Sequence, residues 1–174
     1  ECGCSDIADG ACDCEGNVLD CAGICGGIAV NCPDWVECGN CYNNTASMYA
    51  VVHNSLTGEL LGDEGDILAA FVPSDDGGIE VSDIAIPLLA PFGPYEGSII
   101  FEMQIRSDEE GAAISFKYYD ASADEVLDSG TGYTFVSDDT AGDVNAPFEI
   151  QVGEFPISIP ISTNWTWFSL NVLS

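Results

Sequence analysis

Two kinds of residue dominate the chemistry open to this chain: carboxylates and cysteines. Thirty Asp and Glu stand against Arg106 and Lys117, a formal net charge of −28. Asp6, Asp9, Asp13, Asn17 and Asp20 set hard oxygen donors among glycines within one loop-sized span, the ligand chemistry calcium takes. Their spacing is not that of an EF-hand, which needs D-x-D-x-D-G and a closing Glu. Asp and Asn also favour turns by local hydrogen bonding, so the same positions read as acidic turns without metal. Asp63, Glu64 and Asp66 form a second acidic cluster, and Asp138, Asp139 and Asp143 a third. Bound cations would offset the self-repulsion of so acidic a chain; a solvated acidic surface that maintains solubility is the competing reading. Calcium is the one cofactor the composition suggests.

All nine cysteines, Cys2, Cys4, Cys12, Cys14, Cys21, Cys25, Cys32, Cys38 and Cys41, precede residue 42. Such density reads as disulfide staples made in an oxidising compartment. Zinc is the rival: Cys38-Gly39-Asn40-Cys41 has knuckle spacing, but the sole histidine, His53, has no histidine partner near it. Nine is odd, so one thiol is free or bridges to another chain, with Cys2 the candidate.

Other chemistry is weakly represented, and no enzyme is expected. Thirty carboxylates guarantee some close pairs, so a pair does not diagnose glycosidase chemistry. His53 lies in a strand pattern, and no G-x-S-x-G elbow exists. Nucleic acid and anionic membranes would repel the chain. Asn43-Asn44-Thr45 and Asn164-Trp165-Thr166 are glycosylation sequons, at Asn43 and Asn164. Trp165 and Trp167 could stack on a sugar, although interface packing suits them better.

The elements that must position these residues fall into three parts. Residues 1–46 are rich in Gly, Asp and Cys and lack apolar periodicity, which predicts a small disulfide-rich loop module or stapled arm. Residues 47–152 alternate in short strands between turn clusters. Met48, Ala50 and Val52 alternate with their neighbours; Asp66–Val72 is a nearly continuous apolar run, as in a buried central strand; Ile79–Ile86 is a strand ended by Pro87. Ser98–Arg106 and Ile114–Tyr119, joined by an acidic loop, read as a hairpin. Tyr133–Val136 and Phe148–Val152 follow, and Ala121–Leu127 is the only helix candidate. Seven to nine strands at this spacing predict an all-β fold, an immunoglobulin-like antiparallel β-sandwich without the Cys–Trp–Cys core.

The third part, 153–174, is the most unusual. Phe155 to Ser174 carry no charge. Ile157, Ile159 and Ile161, then Phe168, Leu170 and Val172, recur at every second position, which is strand periodicity. The segment is long enough to span a membrane, but Pro156, Pro160 and Asn164 argue against insertion. The start at Glu1, without a signal peptide, suggests a mature fragment or one unit of a longer secreted precursor.

Gly10-Ala-Cys-Asp-Cys-Glu-Gly-Asn-Val-Leu-Asp20 and Cys21-Ala-Gly-Ile-Cys-Gly-Gly27 resemble the C-D-C-x-G-N-x-L-D and C-G-x-C-G-G repeats of large secreted bacterial surface proteins. Asp66–Val72 is similar to their D-x-I-A-A-F-V strand, Phe116–Ala121 to F-K-x-Y-D-A, and Pro147-Phe148 to their closing P-F. Asn164–Val172 resembles G-W-N-W-F-S-L-N-V, a strand that opens a module in that family. The resemblance implies that one unit's tail belongs to the next unit's sandwich. The resulting expectation is a structural subunit of an extracellular filament or surface appendage at the cell surface. It would polymerise with copies of itself by donating Ile157, Ile159, Ile161, Trp165, Trp167, Phe168, Leu170 and Val172 to a neighbour. The alternative is a calcium-dependent carbohydrate-binding or adhesion module of a larger secreted protein.

Overall fold

A computed structural model describes residues 9–74 and 76–155. Within them the protein is all-β, with ten strands and no helix: β1 (Asn44–Asn54), β2 (Leu60–Leu61), β3 (Ile67–Pro73), β4 (Ile79–Ile84), β5 (Ile86–Leu89), β6 (Ile99–Ser107), β7 (Ala113–Asp120), β8 (Glu125–Thr134), β9 (Thr140–Ala141) and β10 (Phe148–Val152). Hydrogen bonding runs in the order β4-β3-β7-β8-β10-β1-β6-β5. Most pairs are antiparallel; β9 and β10 lie parallel to β1, with Ala50 opposite Phe148 and Asn54 opposite Val152.

The sheet bends into a near-barrel around a single main core. The β4-β3-β7-β8 half and the β10-β1-β6-β5 half meet in sequence at one pair, Ser129 with Val152. Met48, Ala50 and Val52 of β1, Leu68 and Ala70 of β3, Phe101, Met103 and Ile105 of β6, and Ile114, Phe116 and Tyr118 of β7 fill the space between. Burying a side chain of this size contributes roughly 1.5–3 kcal/mol. Val51, Ala90 and Ile100 form a smaller cluster on the outer face, beneath the loop that follows β5. Strand β1 is thus buried on both faces. This explains why its sequence, Met-Tyr-Ala-Val-Val, is more uniformly apolar than a half-exposed strand requires.

The hairpin expected from Ser98–Arg106 and Ile114–Tyr119 does not form. Strand β6 pairs with β1 and β5, whereas β7 pairs with β3 and β8. The intervening loop, exposed from Asp108 to Gly111, crosses from one half of the sheet to the other over the end of the core. Both strands alternate because both face the same interior, and Phe101 meets Tyr118 edge to face across it, centroids 6.1 Å apart. The helix candidate Ala121–Leu127 is a turn running into β8. The strand ended by Pro87 is two strands, and Pro87 lies inside the second. Chain continuity breaks at Ala85, whose N–H bonds to Leu68 O at 2.9 Å, so β4 belongs to one half and β5 to the other. Proline is tolerated in β5 because that strand is the sheet's edge.

At the far edge side chains complete the closure. Ser82 Oγ accepts the Arg106 N–H and donates to the Arg106 carbonyl, both at 2.7 Å, and Asp83 Oδ2 accepts the Gln104 N–H at 2.6 Å. These are the backbone groups of β6 that lie beyond the reach of β5. Two polar side chains of β4 thereby satisfy an edge that none of the described strands covers.

Candidate functional site

The cysteine-rich residues before β1 have almost no core of their own; Ala29 is their only fully buried apolar residue among those described. Covalent bonds replace it. Cys12 is bonded to Cys25, Cys21 to Cys32 and Cys38 to Cys41. The Cys38–Cys41 disulfide takes the place of the zinc knuckle that its spacing could have made. These are bonds of an oxidising compartment. Cys14 is exposed. Cys2 and Cys4 lie outside the described residues.

The candidate calcium ligands in this region have protein partners. Asp13 Oδ1 accepts the N–H of Glu15 (2.9 Å) and of Asn17 (3.0 Å), and Oδ2 accepts from Asn17 Nδ2 at 2.6 Å. The Asn17 side chain, above all, holds the Asp13 carboxyl below its usual range. Asp20 accepts the N–H groups of Ala22, Ile24 and Ala29, at 3.0, 2.9 and 3.1 Å. Both act as turn anchors, the local role for which aspartate is suited. Asp9 is exposed, and Asp6 lies outside the described residues. Among the described residues no three His, Cys, Asp or Glu side chains converge as a metal cage.

The arm is seated on the barrel at several places, and sequence reasoning singled out none of the following three as a site. The first is Asp124, in the turn between β7 and β8. Its carboxylate accepts the N–H groups of Val30 and Asn31, the Asn31 side-chain amide (2.8 Å) and the Tyr119 hydroxyl (2.7 Å). Tyr119 and then Asn31 hold the Asp124 carboxyl low. Asp124 has a φ of 54°, which Asp adopts at lower cost than most residues. The second is Gly65, at φ 93°, against which Ala22 and Ile24 pack so closely that a Cβ would fall 3.1–3.2 Å from them. The third is a seam of Trp35, edge-on to Phe71 at 5.6 Å, and Glu37, which pairs with Arg106 at 3.0 Å.

Arg106 also meets Asp83 at 2.9 Å. Asp83 is buried, and burial pushes its carboxyl up to about 7. Glu37 moves the other way: its bond to Asp83, then Arg106, lowers it. The arrangement stores one proton on the buried partner and leaves the charge on the exposed one, next to the guanidinium. Glu37, Asp83, Glu102 and Arg106 together line a cavity of about 240 Å3. Arg106 is one of only two cations in the chain, a scarcity that could have flagged the seam in advance.

The two other acidic clusters are likewise occupied. Asp66 is buried and accepts from the Tyr118 hydroxyl, from Ala121 N at 2.8 Å and from Asp63 N at 2.6 Å. Asp139 accepts the Tyr133 hydroxyl at 2.7 Å, and Asp143 caps its own turn at Asn145 and Ala146. His53 lies on β1 with Nδ1 3.3 Å from Gly58 O. Asn43, the first sequon residue, bonds through its N–H to Asp108 at 2.7 Å and is exposed. The assembly residues Ile157, Ile159, Ile161, Trp165, Trp167, Phe168, Leu170 and Val172, and the sequon residue Asn164, lie outside the described residues.

No family model, curated protein or solved structure matches this chain. Its function must therefore be argued from its own surfaces. No helix among the described residues is long and apolar enough to cross a membrane.

The Asp124 seat is directly testable. Asp124→Asn keeps a residue that tolerates positive φ but loses one of the two acceptor oxygens. Hydrogen exchange at Val30 and Asn31 is expected to rise by an order of magnitude or more in this variant, with β1 amides unchanged. Equal protection in both proteins would mean that Asp124 does not hold the arm. Acid should mimic the substitution. A carboxyl with a lowered folded pKa contributes its stability above its unfolded value of 3.8 and loses it as pH falls further.

Proposed function

We propose that this chain is a structural subunit of an extracellular filament or surface appendage, polymerising through its uncharged terminal segment by β-strand complementation between copies. The observation that carries the reading is where the barrel core closes. Ile150 and Val152 of β10 are fully buried and complete the main core together with β1, β3, β6 and β7. An alternating apolar segment then follows, without a single charge, in a chain of formal charge −28. The core shared by the described strands does not need it, and exposing six or more large apolar side chains would be costly. A second protomer would offer such side chains a dry surface. The stapled arm supports this reading, since disulfides reinforce a module that cannot form a core and suit a protein working outside the cell.

The test is deletion of residues 156–174 from the full chain. The wild-type protein is expected to sediment as polymers visible by electron microscopy; the truncated protein is expected to remain a monomer with an unchanged melting temperature. Polymers that persist after truncation would refute the reading. Loss of carbohydrate adhesion on chelation, with no effect of truncation, would favour the calcium-dependent adhesion module instead.

A further inference from the structure

Strand β5 is the one strand of the barrel with every residue exposed, although it reads Ile-Pro-Leu-Leu. Ile86 is 60% exposed, Leu88 38% and Leu89 66%, and Phe92 in the loop beyond is 55% exposed. From Ala85 to Tyr95 no residue is charged. Leu88 and Leu89, with Tyr49, Ala90, Ile100 and Val144, line an apolar groove of about 300 Å3. Its floor is the outer-face cluster of Val51, Ala90 and Ile100, which is already dry. One side of β5 pairs with β6, from Ile86 opposite Glu102 to Leu89 opposite Ile99; among the described strands the other side has no neighbour in the sheet order.

We propose that this edge and its groove are the acceptor site for residues 156–174 of a second copy of the chain. The inference rests on the filament reading and assigns the surface that reading leaves open. Charge supports the match. Two molecules this acidic repel each other everywhere except where both are neutral, and the stretch 85–95 and the segment 156–174 are two neutral, apolar pieces. Geometry supports it too. A strand laid along β5 presents alternate side chains to the groove, which is how an added strand gains specificity. Pro87, Pro91 and Pro94 remove backbone donors from this stretch, so the site selects for side chains and discourages indiscriminate pairing.

The direction of the exit favours another molecule over the chain's own barrel. After β10 the chain turns toward β8, not toward β5. Gly153 N bonds to Asp128 O at 3.1 Å, and the Phe155 ring covers Gly130 so closely that a Cβ there would fall 2.5 Å from it. In the sheet order β8 lies on one side of β10, whereas β1 and β6 separate β10 from β5 on the other. At Phe155 the described chain therefore lies on the β8 side of β10.

The experiment uses the full chain in three forms: wild type, a seat variant with Leu88→Asp and Leu89→Asp, and a tail variant with Ile159→Asp and Phe168→Asp. Both seat positions are partly or largely exposed, so melting temperatures should stay near the wild-type value; Val36→Asp, at a site 78% exposed in the arm, is the surface control. The expectation is that wild type and control polymerise and that neither the seat nor the tail variant does. An equimolar mixture of those two should form dimers and nothing longer, since only one junction per pair is intact. A seat variant that polymerises as well as wild type would overturn the acceptor assignment while leaving the filament reading standing. Monomeric wild type would overturn both. If the β5 amides of that monomer are protected, and lose protection in the tail variant, the segment folds back on its own edge and the second-copy assignment fails.

Discussion

Asp66→Ala is expected to lower the stability of the barrel by about 3–5 kcal/mol, the largest effect of any single polar substitution in the chain. Stranded donors set the size of the loss. Asp66 immediately precedes β3 at the point where that strand enters the core, and the residue is 7% exposed. Three donors converge on it: the Tyr118 hydroxyl from β7, Ala121 N from the turn after β7, and Asp63 N from its own loop. Alanine would leave all three without an acceptor. Each such group costs about 1–3 kcal/mol when it is sealed from water. The Tyr118 side chain is fully buried, and burial first, then its bond to Asp66, drives its pKa strongly upward, so the hydroxyl cannot relieve the loss by ionising. Two companion variants separate the contributions. Tyr118→Phe removes one donor together with its need and should cost about 1 kcal/mol. Asp66→Asn keeps one acceptor oxygen and should fall between the two. Urea titration of the three proteins checks the order. An alanine variant within about 1 kcal/mol of wild type, or a phenylalanine variant worse than the alanine one, would show that the bracket is not what holds β3 to β7.

This bracket also marks the limit of what the sequence revealed. Asp66 was visible as an acidic residue next to Asp63 and Glu64, a grouping that suggested metal. Nothing local says that a Tyr 52 positions away would claim it. The strands themselves were legible wherever one face is dry: β3, β6, β7 and β10 all appear as apolar runs or alternations. Alternation reports burial, however, and not partners. Strands β6 and β7 looked like a hairpin because both obey the same period across a short acidic loop. They are the two sides of one core, and buried Ser107 and Ala112 at the loop ends show the chain passing inward. Strand β8 was legible only at its end, because Glu125–Gly130 carries Asp, Ser and Gly and lies half in solvent. Asp124 left no signal at all: an aspartate in a turn is ordinary until the arm is folded onto it.

Acidifying the protein from pH 8 to pH 5 is expected to stabilise it, and most of the site-specific part should vanish in Asp83→Asn. The side chain of Asp83 is only 6% exposed at the seam between β4, β6 and the arm. Burial raises its carboxyl from 3.8 to about 7, against the pull of the Gln104 N–H and of Arg106. A carboxyl whose folded pKa lies above its unfolded one binds more protons in the folded state across that interval. Its contribution is therefore complete below about pH 4, declines as pH rises toward 7, and is absent above. Glu37 moves the opposite way, lowered by its bond to Asp83 and by Arg106, so its own contribution is lost only on the acid side of this window. Roughly two units of the window remain to Asp83, about 2–3 kcal/mol. General relief of the −28 charge acts on wild type and variant alike, so the difference between their pH slopes isolates the seam. Thermal melts of both proteins at pH 5 and pH 8 provide the comparison. Parallel slopes would place the pH response in the acidic surface as a whole. Convergence of the two proteins in acid, with the asparagine variant ahead at alkaline pH, would place it in the single proton that Asp83 keeps between Glu37 and Arg106.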